Sequence, residues 1–310
     1  MLKVKELEGK RKDMKNKSIL RGSVVLLFSM FFVVVGCTEA SLDNGTEEEI
    51  ITNRKICTNG LAGIFPCNDY DLMAHLDLET LDATLANDSW GWTDATTNKE
   101  YVIIGLNNGT AFVDITDTEV PIYLGKLPTA TVNSSWRDIK VYKDHAFIVS
   151  EAANHGMQVF DLTKLRTATS NLPMTFVADT HFTDFGSAHN MVINEQSGYA
   201  YPVGTSKAGT YKGGPLFINI KEPKNPISEG GWGMDNYSHD AQVVTYSGPD
   251  SEYTGKEILI GSNENEVVIV DITDKSNPKN ISKISYANVG DPQSVINIYG
   301  ADAVQWFMLS

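Results

Sequence analysis

The stretch that decides the fold is Val268–Pro278, which reads VIVDITDKSNP, and a close copy, AFVDITDTEVP, occupies Ala111–Pro121. Each copy opens with a short β-branched or aromatic run and closes in a polar turn rich in Asp, Thr and Pro. Weaker copies are QVFDLT at Gln158–Thr163 and LFINIKEPKNP at Leu216–Pro226. The four copies indicate that the chain repeats one β-rich unit.

The spacing of the copies sets the size of the unit. Aligning Asp114, Asp161, Asn219 and Asp271 gives separations of 47, 58 and 52 residues. A period near 50 residues with several strands per repeat is typical of β-propeller blades. Beyond residue 90 no long segment has the apolar period of a helix.

Each repeat has room for four strands. In the second repeat, Arg137–Tyr142 and His145–Val149 precede the Asp-ending run Met157–Asp161, and in the first repeat Ile122–Leu124 follows the closing proline. The sequence therefore predicts an all-β, propeller-like array of four-stranded repeats over residues 90–290, with about four recognisable blades.

The N-terminal residues predict export. Eight Lys and Arg residues precede the apolar run Ser23–Val35, which is about as long as the core of a signal peptide and short for a membrane span. The run ends in VVGC at Val34–Cys37, which resembles the lipobox of bacterial lipoproteins. We expect a signal peptide over residues 1–36, a lipidated Cys37 and a polar tether over residues 37–56. An uncleaved anchor, or an ordinary signal with a chance Cys, is the alternative.

Composition narrows the range of partners. The chain has 310 residues and a net charge of −14, and eight of its 25 Lys and Arg residues lie in the first 21 positions. Nucleic-acid binding depends on clustered basic side chains, so nucleic acid is not an expected partner.

Two cysteines remain in the mature chain. Cys57 and Cys67 flank a Gly-containing loop at the start of an N-terminal segment, residues 57–89. In an oxidising compartment such a pair favours a disulfide. A two-Cys metal site or two free thiols are the other interpretations.

Several motifs in combination resemble the choice-of-anchor B family with its LVIVD-type repeats. Besides the two cysteines and the VIVDITD run, they are WGWTD at Trp90–Asp94, SWRDIK at Ser135–Lys140, SAHNM at Ser187–Met191 and SHDAQ at Ser238–Gln242. The resemblance spans about Cys57 to Val289 and implies an envelope or extracellular propeller-like protein without an established reaction. Residues 291–310 depart from the repeat pattern. We therefore expect an atypical tail from a truncated or frameshifted product, and an incomplete propeller.

The candidate ligand site consists of paired polar residues that open the first strand of three repeats. They are Arg137 with Asp138, His189 with Asn190, and His239 with Asp240. First strands of propeller blades line the central channel, so these side chains could together bind a divalent metal or an anionic ligand. Among them, His189, His239 and Asp240 are the candidate metal ligands. The alternative is that the pairs satisfy backbone groups at the inner edge of each blade.

Other polar and aromatic groups favour structural interpretations. Two Asp-x-Thr-Asp groups could be taken for calcium ligands: Asp114 with Asp117, and Asp271 with Asp274. The same pattern forms ordinary turns, and we favour that interpretation. Two loop pairs, Glu151 with His155 and Glu264 with Glu266, could supply acid or base groups, but exposed loop carboxylates are more often solvated than catalytic. For Trp90, Trp92, Trp136 and Trp232 we expect packing between blades rather than stacking on sugars.

The sequence thus predicts an exported lipoprotein of the outer membrane or cell surface that acts as an interaction or ligand-binding module. Its lipid would bind the membrane, and its partner would be an envelope protein or a surface ligand. No classical catalytic motif is present and no cofactor is identified, although a divalent metal fits the polar pairs. The alternative function is a metal-dependent hydrolase that uses the channel histidines.

Overall fold

The computed structural model describes residues 53–285, which are nearly all β. The predicted signal peptide, Cys37, most of the tether and the tail at residues 291–310 lie outside the described residues. Within residues 53–285, no helix is both long and apolar enough to cross a membrane.

The N-terminal segment forms a small antiparallel sheet. Its strands are β1 (Cys57–Thr58), β2 (Leu61–Ala62) and β3 (Phe65–Pro66). The loop between β1 and β2 is Asn59-Gly60, and both residues have positive φ, as a tight two-residue hairpin turn requires. A disulfide joins Cys57 to Cys67, which confirms the predicted bridge.

Four larger sheets follow, here called sheets I to IV, and three of them have four strands. Sheet I contains β4 (Ala86–Asp94), β5 (Lys99–Leu106), β6 (Gly109–Asp114) and β7 (Ile122–Pro128). Sheet II contains β8 (Arg137–Tyr142), β9 (His145–Ser150) and β10 (Met157–Asp161), and its fourth strand follows a longer connection.

The connection after β10 departs from the simple repeat. A 3-10 helix over Leu162–Thr167 leads to β11 (Met174–Thr175), which pairs parallel with β7 and adds a fifth strand to sheet I. Then β12 (Thr180–Phe182) pairs with β10 and completes sheet II. Arg166 on the 3-10 helix donates two 2.7 Å hydrogen bonds to the buried Asp94 of sheet I, which fastens this connection across both sheets.

Sheets III and IV return to consecutive antiparallel pairing. Sheet III contains β13 (Asn190–Asn194), β14 (Tyr199–Val203), β15 (Leu216–Asn219) and β16 (Ile227–Gly231). Sheet IV contains β17 (Ser238–Thr245), β18 (Glu257–Asn263), β19 (Glu266–Asp271) and β20 (Lys279–Ser285). The third strands of the four sheets end at Asp114, Asp161, Asn219 and Asp271, so the predicted alignment of the repeats is confirmed. The first strand begins at Ala86, four residues before the predicted start of the repeats.

The sheets pack face to face in sequence order. The first strands of consecutive sheets are in contact, β4 with β8, β8 with β13 and β13 with β17. Separate apolar cores fill the spaces between sheets I and II, II and III, and III and IV. Because the inner sheets are covered on both faces, their middle strands are buried along almost their whole length, which explains the continuous apolar runs of the repeats.

The other face of sheet I is covered by the N-terminal segment. Leu76, Leu81 and Ala83 pack against Leu106, Ala111 and Val113 of β5 and β6. None of the sheets formed by residues 53–285 closes on itself.

Candidate functional site

The openings of the four first strands carry four equivalent polar pairs. Three were predicted, and the structure adds Asn87 with Asp88 near the start of β4. Asn87 precedes Asp114, the last residue of its third strand, by 27 residues. The other three openings precede the ends of their third strands by 24, 30 and 32 residues. The repeat phase could therefore have found this pair, but it lies before the predicted repeat boundary.

The second members of two pairs join neighbouring sheets. Oδ2 of Asp88 accepts a 2.8 Å hydrogen bond from the backbone N–H of Ile139, and Oδ2 of Asp138 accepts a 2.7 Å bond from that of Met191. Asn190 and Asp240 instead accept from the N–H of the residue that follows each of them. The alternative in which the pairs satisfy backbone groups thus describes the contacts of all four second members, Asp88, Asp138, Asn190 and Asp240.

Arg137 is fully buried beside His155, and its guanidinium forms hydrogen bonds only with uncharged groups. Its Nε donates to the carbonyl oxygen of Leu106 (3.0 Å) and its Nη2 to the hydroxyl of Thr129 (2.9 Å). Nη1 lies 2.8 Å from Nε2 of His155. A guanidinium can only donate, so Nε2 accepts, and Nδ1 carries the proton that it donates to the carbonyl of Gly156 (3.0 Å). Burial lowers the pKa of Arg137 to about 10 and that of His155 to about 4.

His189 and His239 converge at the end of the sheets where β9 turns into β10. Their ring centroids are 4.3 Å apart, and the ring of Trp136 lies 5.9 Å from that of His189. Nδ1 of His189 is 2.6 Å from Oε1 of Glu151, which lies on the loop after β9. Glu151 was paired in the sequence only with His155, so its contact with His189 was missed. We call Trp136, Glu151, His189 and His239 the crown site.

The crown site is open to solvent. Trp136 is 51% exposed and Trp90 40% exposed, so the expected packing between blades is wrong for these two tryptophans. It is confirmed for the buried Trp92 and Trp232, whose Nε1 atoms donate to Asp144 (3.0 Å) and Asp235 (2.9 Å).

Two carboxylates lie deeper along the first strands. Burial raises the pKa of Asp240, and the hydrogen bond from the N–H of Ala241 and the charge of Lys140 act in the opposite direction. Burial also raises the pKa of Asp138. The charge of Lys140, whose Nζ lies 2.6 Å from Oδ1 of Asp138, acts in the opposite direction. Lys140 also lies 4.7 Å from the centre of the Trp90 ring. These contacts place a mixed set of charged groups behind the crown histidines.

Glycines make room for the crown. Gly204 has φ +61°, and a Cβ there would lie 2.4 Å from the Cβ of His189. At Gly213, with φ +86°, a Cβ would lie 2.5 Å from the ring of Tyr237. Lys207, on the same loop, lies over that ring at 4.5 Å and pairs with Glu264 at 2.5 Å. This loop can follow its path only with glycine at these positions.

The acidic turns at the ends of the third strands are held by their own backbone. Among residues 53–285, no group of three or more His, Cys, Asp or Glu side chains is placed to hold a metal ion. Asp114 and Asp117 each accept a 3.0 Å hydrogen bond from the backbone N–H two residues on, and Asp271 and Asp274 do the same at 3.1 and 3.0 Å. These contacts are those of ordinary Asx turns, as predicted.

Comparison with known proteins gives only distant structural likenesses. Neither a family model nor a curated protein matches the chain. Among solved structures, the extracellular domain of a one-component system protein from B. thetaiotaomicron aligns with a TM-score of 0.40 at 14% sequence identity. The alignment covers 64% of this chain and spans 25% of the length of that chain.

Proposed function

We propose that this protein is an exported, lipid-anchored ligand-binding module whose binding site is the crown site. The observation that carries the proposal is the convergence of His189 and His239, which belong to different sheets and whose rings are 4.3 Å apart beside the exposed Trp136. Equivalent positions on consecutive sheets meet at one solvent-facing end, as ligand sites built on repeats do.

The chemistry of the crown site fits a polar ligand. Oε1 of Glu151 lies 2.6 Å from Nδ1 of His189 and can accept its proton, and in the neutral ring Nε2 would then be the acceptor. The exposed face of Trp136 offers apolar area next to these polar groups. An acidic sugar fits this combination of imidazole, carboxylate and aromatic ring, whereas a divalent metal would have to draw the side chains together, because they are not placed to hold one.

The larger architecture behind the proposal is a propeller-like array in a protein of the choice-of-anchor B type. Support comes from four consecutive antiparallel sheets whose first strands lie side by side. Anchoring through Cys37 would hold this array at the outer membrane or the cell surface, where envelope proteins or surface ligands are available.

Isothermal titration of the purified protein with zinc, calcium and an acidic sugar tests the proposal. We expect one of them to bind, and His189→Ala and His239→Ala each to weaken binding by roughly tenfold, equivalent to about 1.4 kcal/mol for one lost contact.

The matched control is His75→Ala, because His75 is exposed and contacts Phe65 of the N-terminal segment rather than the crown. Its affinity should equal that of the unsubstituted protein. Absence of binding for all three ligands, or equal losses in the control and the crown variants, would contradict the proposed site.

A further inference from the structure

The disulfide-closed segment at residues 56–70, here called the apolar hairpin, exposes an unusual amount of apolar surface. Ile64 is 85% exposed and Tyr70 81% exposed. Ile56, Leu61 and Phe65 are exposed as well, and Asp69 is the one charged residue in the segment. Single exposed apolar residues need no explanation, but five within fifteen residues, held by a disulfide, mark a contact surface.

The apolar hairpin lies at the end of sheet I that is opposite the crown site. Arg54, just before the hairpin, pairs with Asp71 (2.5 Å) and with Glu119 (3.6 Å). Glu119 lies in the connection from β6 to β7, at the end where Asp114 pairs with Ile122.

The crown is joined to the other end of sheet I. There β5 turns into β6 with Leu106 opposite Gly109, and the carbonyl of Leu106 accepts from Arg137 at the crown end of β8. Arg137 in turn pairs with Ser150, the residue before Glu151. Hairpin and crown are therefore separated by the length of the strands.

We propose that the apolar hairpin rests on the lipid surface of the membrane to which Cys37 is attached, so that the crown site faces away from that membrane. This inference rests on the anchoring proposed above. About 20 residues link Cys37 to the hairpin, and a chain of that length reaches at most roughly 70 Å. The lipid would hold the hairpin within this distance of the bilayer, at a high effective concentration.

The side chains of the hairpin suit a bilayer interface. Aliphatic residues next to Phe and Tyr match the composition of interfacial anchors, in which the aromatic rings lie at the level of the headgroups. Arg54 pairs with two carboxylates, and the exposed Lys55 beside it is balanced by Asp69 of the hairpin, so residues 54–71 carry no net charge and the contact needs no anionic lipid. We expect it to depend on apolar area and to be insensitive to salt.

Tryptophan quenching in vesicles tests this orientation. The processed, lipidated full chain carrying Ile64→Trp is reconstituted into phosphatidylcholine vesicles in which part of the lipid has brominated acyl chains. The matched control is Val132→Trp, at an exposed position of the loop before β8 at the crown end. The emission of the unsubstituted protein is subtracted from both.

We expect bromine to quench the added emission of Ile64→Trp by about half, because an interfacial residue inserts roughly 5–10 Å into the headgroup and acyl boundary. The emission of Val132→Trp should be unchanged. Salt at 0.5 M shortens the Debye length to about 4 Å and should alter neither result, because screening weakens charge interactions and not apolar contacts.

Three outcomes would overturn the proposal, and each identifies what failed. Protein that does not float with the vesicles refutes the anchoring itself. Equal quenching at positions 64 and 132 refutes the orientation. A blue-shifted emission at position 64 that does not respond to bromine shows that the hairpin is covered by protein instead of lipid. Ligand titration at the crown reports on the proposed function independently of all three.

Discussion

At the scale of single residues, the buried contact between Arg137 and His155 requires the imidazole to be neutral. Both side chains are buried, and the cationic guanidinium is held by a carbonyl, a hydroxyl and a neutral imidazole. Protonation of His155 would remove the acceptor at Nε2 and place a second cation 2.8 Å from the first. The imidazole must therefore stay neutral for this part of the fold to persist.

At this scale we expect acid to weaken the fold through His155. Its pKa is about 4 in the folded protein and about 6.5 in the unfolded chain, so between these values the unfolded chain binds more protons. The free energy of unfolding should be highest above pH 6.5 and should fall by up to about 3 kcal/mol as the pH drops towards 4.

Urea unfolding of the protein and of His155→Gln across this range provides the measurement. The amide can still accept from Arg137 but does not titrate, so the stability gap between the two proteins should change with pH. Parallel curves for the two proteins would show that His155 does not control acid sensitivity.

At the scale of elements, the first strands are joined by side chains rather than by a continuous backbone ladder. The carboxylate of Asp88 accepts a hydrogen bond from the N–H of Ile139, and that of Asp138 accepts one from the N–H of Met191. Each carboxylate thus supplies the acceptor that an adjacent strand would otherwise provide. The strands themselves follow from the repeated apolar runs. The pairing of β11 with sheet I does not, because it depends on where the connection after β10 crosses the neighbouring sheet.

Asp88→Ala should therefore destabilise the contact between sheets I and II. Ile139 is fully buried, so its N–H would lose its partner at a cost of about 1–3 kcal/mol. The shift in urea midpoint is the measure, with the exposed Asp184→Ala as the control, which should stay within about 0.5 kcal/mol of the unsubstituted protein. Equal midpoints for the two variants would remove this role of Asp88.

At the scale of the whole molecule, stacking of four sheets gives the protein two distinct ends. One end bears the crown site, and the apolar hairpin lies at the other, joined to the array by Arg54 and Glu119. An anchor that precedes the hairpin in the chain would place the binding end outermost.

Cys37→Ala should abolish lipid attachment and leave an unprocessed precursor, because the thiol that receives the lipid is gone. The measurement is metabolic labelling with a radioactive fatty acid together with the shift in mass on processing. The matched control, Cys57→Ala with Cys67→Ala, should retain the label because it leaves the lipobox intact. Label that persists in Cys37→Ala would place the anchor elsewhere.

The sequence by itself determined the repeat and its phase, because sheets covered on both faces require apolar runs at a fixed period. It also favoured a disulfide between Cys57 and Cys67 over a two-Cys metal site or two free thiols, and the structure shows that bridge. Only the tertiary structure decided what the equivalent polar pairs do. Arg137 meets the acceptors of sheet I and is buried, whereas His189 and His239 meet each other at an open end. Equivalent positions in a repeat share a backbone path but not their neighbours, and the neighbours set the role of each side chain.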